Sequence, residues 1–235
     1  MLKYLKIKIK SQRKETKNKM GQKINPIIFR IGSKYSWSSI WFADHKAFKK
    51  TLLEDIALRK FLMDRLKLAG IIGVKIERSI NKIKITPQVT RPGVVIGRGG
   101  SGLEELKKQL CKMVFLPDPE KNLEISPQEI KNPDISAYFV AQKISEQIAK
   151  RMPYRQAVRR ARERTMTAGA KGIKIALSGR IAGAEIARTQ KYTNGSIPLQ
   201  TLWAKIDFAD VPSLTRSGYV GVKVWINQGE KDVIA

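Results

Sequence analysis

The sequence predicts an α+β chain of two domains: a mixed unit built around a glycine loop, then two helices laid on a four-stranded antiparallel sheet. Three observations carry this. Residues Arg91 to Gly100 place an apolar run, Val94-Val95-Ile96, before a Gly-x-x-Gly loop, Gly97 to Gly100, and Leu103, Leu106 and Leu110 then recur at helical spacing. Pro127 and Pro133 bracket polar residues in the manner of a linker. Beyond them two helical patterns precede four runs of strand character, which is the order of helices segregated to one face of a sheet. At 235 residues the chain has room for two cores.

In chain order, residues 1–19 hold eight lysines and arginines against Glu15 and are expected to form a solvated, disordered extension. A transit peptide is the rival reading, although lysine outnumbers arginine and serine is scarce. The alternation Leu5 to Lys10 also fits a short strand formed on a partner. A first domain is expected over 20–126. It opens with a helix from about Asp44 to Ala69 through Phe48, Leu52, Ile56, Leu62 and Leu66, closed by Gly70. Strands are expected at Val74 to Arg78 and Lys82 to Thr86, with a turn at Ser79 to Asn81. The glycine loop follows, its helix runs to about Phe115, and Leu123 to Ser126 is a third strand.

The linker is placed at 127–134, the second domain at 135–229 and a tail at 230–235. The second domain opens with a helix through Ile135, Phe139, Ile144 and Ile148, ended by Pro153, which also suits the first turn of the next helix. That helix, about Pro153 to Ala168, has the apolar stripe Tyr154, Ala157, Val158, Ala161 and Thr165. Strands are expected at Lys174 to Ser178, Ala184 to Arg188, Leu202 to Ile206 and Val220 to Ile226, with turn signals at Asn194-Gly195 and Ser217-Gly218. Trp225 is expected in the core; for Trp203 the choice between core and base-stacking platform stays open.

The formal net charge is +26, from 46 Lys+Arg against 20 Asp+Glu, and a polyanionic partner is expected to relieve the self-repulsion. No run of about 18 apolar residues is present, so a membrane is the weaker candidate. One cysteine, Cys111, and one histidine, His45, leave no Cys/His zinc set and no ready histidine triad. No metal, cofactor or catalytic residue is expected.

Two basic constellations carry the binding chemistry. In the loop, glycines let the backbone approach a ligand closely, a helix N-terminus offers free N–H groups, and Arg98 adds charge; this helix-loop-helix is that of a KH domain, which clamps single-stranded nucleic acid. The loop lacks a Walker Lys-Ser/Thr pair and the dinucleotide-binding G-x-G-x-x-G. The order helix, strand, strand, helix, loop, helix, strand is that of the type II KH fold. On the second domain's basic helix, Arg151, Arg155, Arg159 and Arg162 are spaced to share one face in a continuous helix, with Pro153 a candidate break in that alignment at Arg151. Arg160 and Arg164 lie beside them, and Glu163 is the only acid. Solvated helix faces usually alternate charge sign, so contact with RNA is expected.

Met20-Gly21-Gln22-Lys23-Ile24-Asn25-Pro26, the Arg91 to Gly100 loop, Gly169 to Lys174, Ser178-Gly179-Arg180-Ile181-Ala182-Gly183-Ala184-Glu185-Ile186-Ala187-Arg188, Ile197 to Leu202 and Gly221 to Ile226 occur in one order. Together they resemble the bacterial-type family of the third protein of the small ribosomal subunit, over residues 20 to about 229. The resemblance implies a structural protein of the subunit head that binds ribosomal RNA and helps form the messenger RNA entry channel. It implies a channel-facing helix with Arg155, Gln156 and Arg159 at the positions linked to unwinding of messenger structure, and further RNA contacts at Lys171, Lys174, Arg180 and Arg188. Neighbouring head proteins, the tenth and fourteenth, are implied partners. The location implied is the cytoplasmic ribosome of a bacterium, with a mitochondrial or plastid ribosome as the alternative.

Five departures from the family pattern stand out. Gln156 sits where the family usually has a base, and Gly99 where it often has lysine. Gln200 and Trp203 replace frequent His and Arg, and Ala209 to Arg216 matches poorly. A stand-alone KH regulator or RNA chaperone is the second reading. A nuclease or lyase is the third, for which no carboxylate pair or activated lysine stands out.

Overall fold

The computed structural model describes residues 23–229 except Lys34, residues 80–81 and residues 115–121. The expectations for 1–19, for Met20 to Gln22, for the turn at Ile80-Asn81 and for 230–235 lie outside the described residues.

Helix α1 (Pro26–Phe29) and strand β1 (Ser39–Ile40) precede the long helix α2 (His45–Arg65), continued by a 3-10 turn at Lys67–Ala69. Gly70, at φ 68°, ends the helix as expected, in a conformation open to a residue without Cβ. The buried stripe is Asp55, Leu58, Leu62 and Leu66 rather than the full series read from sequence, and Phe48, Leu52 and Ile56 are exposed. The reason is that only the second half of α2 lies on the sheet.

That sheet comprises β1, β2 (Ile71–Arg78), β3 (Ile83–Val89), β4 (Leu123–Ile125) and β5 (Gln128–Glu129). β3 is central: antiparallel to β2 and parallel to both β4 and β5. It runs past Thr86 through Pro87. Pro87 falls between the residues that pair with β4 and those that pair with β5, so its missing N–H faces a gap in the ladder. β5 also corrects the linker, whose first residues belong to this sheet. Helices α3 (Pro92–Ile96) and α4 (Ser101–Cys111) flank the glycine loop. α4 stops at Cys111, short of Phe115, because a turn at 112–113 brings Val114 back into the core, against which Cys111 also packs.

The first core has a polar clasp at its edge. Asp55 is 2% exposed and accepts from Arg78 Nε and Trp41 Nε1, both at 2.8 Å, and from Ser39 Oγ at 3.2 Å. Arg78 also pairs with Glu54 at 2.9 Å, and Arg59 donates to Val74 O, Ser38 O and Ser39 Oγ. This network fastens α2 to β1 and β2.

The second unit lays α5 (Ala137–Ala149) and α6 (Tyr154–Thr167) on one face of an antiparallel sheet of order β7-β6-β9-β8: β6 (Gly172–Gly179), β7 (Arg188–Gly195), β8 (Ile206–Thr215) and β9 (Gly218–Asn227). Ile135 lies in a 3-10 turn before α5. The Asp207 carboxylate accepts from Ala137 N at 2.8 Å and so caps α5 from β8. Inward residues Ile173, Ile175, Leu177, Val222, Val224 and Ile226 meet Val140, Ile144 and Val158. The α+β architecture of a KH domain followed by two helices on a four-stranded antiparallel sheet is thus present.

Three strand boundaries differ from expectation. Residues 184–187 are a loop, because left-handed Ala182 and Gly183 reverse the chain and Arg180 Nε donates to Ala184 O at 2.8 Å. Residues 202–205 precede β8 instead of forming a strand. Nearby carbonyls, those of Pro198, Leu199, Thr201 and Ala204, accept from the Arg30 guanidinium at 2.8–3.3 Å rather than from a neighbouring strand. Residues 209–215, outside the strands expected from sequence, form most of β8, paired with β9 along its whole length.

Arg30 also revises the domain plan. It is fully buried, Pro26 O is a further acceptor, and α1 packs on β8. The segment around Arg30 therefore sits on the second unit although it precedes the first in sequence. Trp225 is likewise corrected: it lies on the face away from α5 and α6, half-buried, with Phe208 at 5.2 Å and the Lys174 ammonium 5.5 Å from its ring centre.

Replacing Asp55 with alanine strips the Arg78–Trp41–Ser39 cluster of its common acceptor. Amide exchange of β2 is expected to report a loss of about 3–5 kcal/mol in the first unit. Arg30→Lys keeps the charge but cannot reach carbonyls in several directions at once. Faster exchange across residues 197–206, with β2 unchanged, is the expected result.

Candidate nucleic-acid interface

In the first unit α3 ends at Gly97, with φ 72° and ψ −179°, and the chain passes through Gly99 (φ 61°) and Gly100 (φ 87°) into α4. A Cβ on Gly97 would stand 2.9 Å from Gly102 N, and one on Gly102 would stand 2.7 Å from Val95 O. Gly97 and Gly102 are therefore glycines for packing, holding α3 and α4 together, whereas Gly99 and Gly100 have open space around them. Sequence reasoning assigned the loop to Gly97–Gly100 and missed Gly102, although the Gly-Gly-Ser-Gly run was its signal. Arg98 is exposed at the loop tip, and its carbonyl accepts from Ser101 Oγ at 3.0 Å. Beside the loop, Val94, Leu68, Leu106 and Gln109 border a cleft of about 340 Å³. The outcome is a charged tip next to a shallow apolar surface, which suits a nucleic-acid strand with its phosphates on one side and its bases on the other.

In the second unit the arginines of α6, with Arg151 before it, separate into three sets. Arg155, Arg159 and Arg162 converge with Val158 and Tyr192 of β7 on a cleft of about 320 Å³. Arg162 is partly covered: Nη1 donates to Thr193 O at 3.4 Å, and its buried Nε has no hydrogen-bond partner among the described residues. Arg155 donates from Nε to Tyr154 Oη at 3.3 Å, and this bond, with nearby positive charge, holds the phenol below its ordinary pKa. Arg160 and Arg164 line the opposite flank near Asp134 and Lys143. Arg151 has φ 62° and leaves the face of the helix, lining a separate cleft with Arg180. So the five arginines Arg151, Arg155, Arg159, Arg160 and Arg162 do not form one row, and Gln156 is exposed beside Arg155.

The other expected contacts are dispersed. Arg188 is exposed at the start of edge strand β7 and acts electrostatically on Tyr154, which puts it with the Arg155 group. Lys174 is on the opposite sheet face over Trp225; burial, then Lys23 and Lys191, pull its pKa below the ordinary value. Lys171 is exposed just before β6, and Trp203 is exposed in a turn. Among the described residues no ion pair engages Arg98, Arg155, Arg159, Arg180 or Arg188. No group of three or more metal-ligating side chains occurs among them either, and no described helix is long and apolar enough to cross a membrane.

Comparison with known proteins agrees with this geometry. The family model described as KH domain matches residues 57–135, and that described as Ribosomal protein S3, C-terminal domain, matches residues 144–226. Curated relatives carry one name, small ribosomal subunit protein uS3. The protein of Lactobacillus helveticus is 48% identical over 90% of this chain and 92% of its own. That of Acetivibrio thermocellus is 50% identical over 90% and 91%. That of Caldanaerobacter subterraneus is 47% identical over 90% and 93%. With a KH loop in one unit, a basic helix on a four-stranded sheet in the other, and this likeness spanning both, the chain belongs to the uS3 family of small ribosomal subunit proteins.

Proposed function

We propose that the chain is a noncatalytic constituent of the small ribosomal subunit of a bacterium, bound to ribosomal RNA in the subunit head and lining the messenger RNA entry channel. The observation that carries this is the convergence of Arg155, Arg159 and Arg162 beside Tyr192, with no acid lining the cleft. Three guanidinium groups so placed attract phosphate at any sequence, which is the property needed by a surface along which a strand moves. The loop at Gly97–Gly100 has the opposite character. Its backbone path is fixed by packing of α3 on α4, and it suits a ribosomal RNA strand that stays in place.

On this reading Arg155 and Arg159 assist unwinding of messenger structure by holding one separated strand, and Gln156 supplies less charge than the family's usual base. The exposed apolar residues Phe42, Phe48, Leu52 and Ile56 on and before α2 are the surface on which a neighbouring head protein, the tenth or fourteenth, would bury area. The domain limits proposed on this structure are a KH unit up to about residue 130 and a second unit from about 133 to 229. The Arg30 segment is assigned to the second unit.

Arg155→Ala combined with Arg159→Ala is expected to leave subunit assembly intact and to slow translation through a stable messenger hairpin, while an unstructured message is read at the normal rate. Equal elongation on both messages, relative to the native protein, would remove the unwinding role. At the loop, Arg98→Gln is expected to reduce the slope of log affinity against log salt for single-stranded RNA by about 0.7, one phosphate's share. An unchanged slope in filter binding would take Arg98 out of the contact.

A further inference from the structure

The largest cleft among those described lies between the end of α5, the start of α6, the 180–183 turn and the β8–β9 hairpin, and measures about 560 Å³. That is within the roughly 300–1,000 Å³ of small-ligand sites. Its floor is apolar, formed by Ile148, Pro153, Ile181 and Val220, with the half-buried Tyr154 at one side. Its rim carries Arg151, Arg180 and Arg216, and no acid lines it. Arg216 stood outside the sequence expectations, and Arg151 and Arg180 were placed with other groups.

Two further features mark the place as built. Arg180 is aimed by its neighbours, donating from Nε to Ala184 O at 2.8 Å and from Nη1 to Ser217 O at 3.5 Å, so Nη2 is left for a ligand. Among the described residues, the two non-glycine residues with positive φ are Arg151 and Ala182, and both line this one cleft. Left-handed backbone at such residues costs free energy and persists where surrounding structure imposes it. Here the two residues place a guanidinium and a turn around the same space.

We propose that this cleft holds one unstacked nucleotide of single-stranded RNA, with the base against the apolar floor and Tyr154 and the flanking phosphates on Arg151, Arg180 and Arg216. The proposal rests on the RNA-binding reading above and deepens it. It adds a point at which a base is read by shape and stacking, next to a helix that reads phosphate alone. Three arginines without an acid favour a ligand with more than one negative charge, and a floor wide enough for a ring favours a nucleotide over a bare anion.

The test titrates the full chain with a fluorescent hexa-adenylate and with an abasic hexamer of the same length and charge, at one salt concentration. The native protein is expected to bind the adenylate several-fold more tightly. Arg180→Gln with Arg216→Gln should weaken adenylate binding about tenfold and abolish the preference for bases. Ser217→Leu fills the rim without altering charge or adding a ring on which a base could stack: Ser217 Oγ is 3.6 Å from where a Cβ on Gly183 would stand. It should abolish the preference while leaving the abasic affinity in place, a result that simple loss of charge cannot give. Arg155→Ala with Arg159→Ala should lower both affinities alike. Equal native affinity for the two hexamers, or a base preference that survives both rim changes, overturns the proposal while leaving the RNA-binding reading standing. Binding of neither hexamer overturns both.

Discussion

The scarcity of acid is the constraint on which this structure depends. With 46 basic side chains against 20 acidic ones, the chain cannot neutralise itself, so where the acids are spent decides where positive charge remains. Several are spent inside. Asp55 and Glu54 hold Arg78 at the edge of the first core, and Asp207 caps α5 from the opposite sheet. Burial raises the pKa of Asp207, while the amides of Ala137 and Phe208 oppose that by stabilising the carboxylate. Others form exposed pairs, Asp64 with Lys67 and Asp210 with Lys223, which contribute little to stability. The arginines of α6, of the loop and of the cleft rim are left for an external polyanion.

Arg30 is the exception that orders the architecture. A buried cation is costly unless every donor is met, and here five carbonyls meet it without a carboxylate. Using carbonyls rather than an acid fixes the path of residues 198–204 and ties α1 to the second unit. The described residues therefore begin on the second unit, cross to build β1 and α2 of the first, and return. That crossing, together with Gly70 packed close to Phe139 of α5, gives the two units a continuous seam rather than a free hinge at 127–134. On the proposed reading it holds the glycine loop and α6 at a set spacing.

Much of this was legible in the sequence, and what was not has identifiable causes. Periodicity found α2, α4, α5, α6 and the cores of β2, β3, β6 and β9 because one face of each is buried. It failed for Phe48, Leu52 and Ile56, where apolar spacing continues past the end of the sheet. The loop Ala184-Glu185-Ile186-Ala187 offers a single β-branched residue, and the left-handed turn at Ala182 and Gly183 with the Arg180 bond to Ala184 O keeps it out of the sheet. Residues 209–215 show no clean alternation and carry Pro212, so the local sequence does not announce β8. Among site residues, spacing grouped Arg155, Arg159 and Arg162 correctly. It also sets Arg160 off that row, because neighbouring residues on a helix diverge by about 100°, and the structure puts it on the opposite flank. Arg216 gave no signal at all, since its place in a cleft comes from a hairpin packed against a distant turn.

On the proposed reading, in which the glycine loop holds ribosomal RNA and α6 guides a moving strand, that division of labour follows from how each is made. At the loop the glycines fix the backbone, with Gly97 against Gly102 leaving no freedom to a side chain, so contact there is set by shape and changes little when a strand tries to slide. On α6 the contact is made by ends of long side chains whose charge reaches phosphate at many positions with nearly equal free energy. A strand held that way meets a smooth potential: attraction keeps it near the surface while small differences between adjacent registers let it advance. Replacing those arginines with a few rigid, base-specific donors would deepen single registers and arrest movement. Strong hydrogen-bond readout thus belongs where RNA is permanent. Diffuse charge, sparing of acid and of base contacts, belongs where it is in transit.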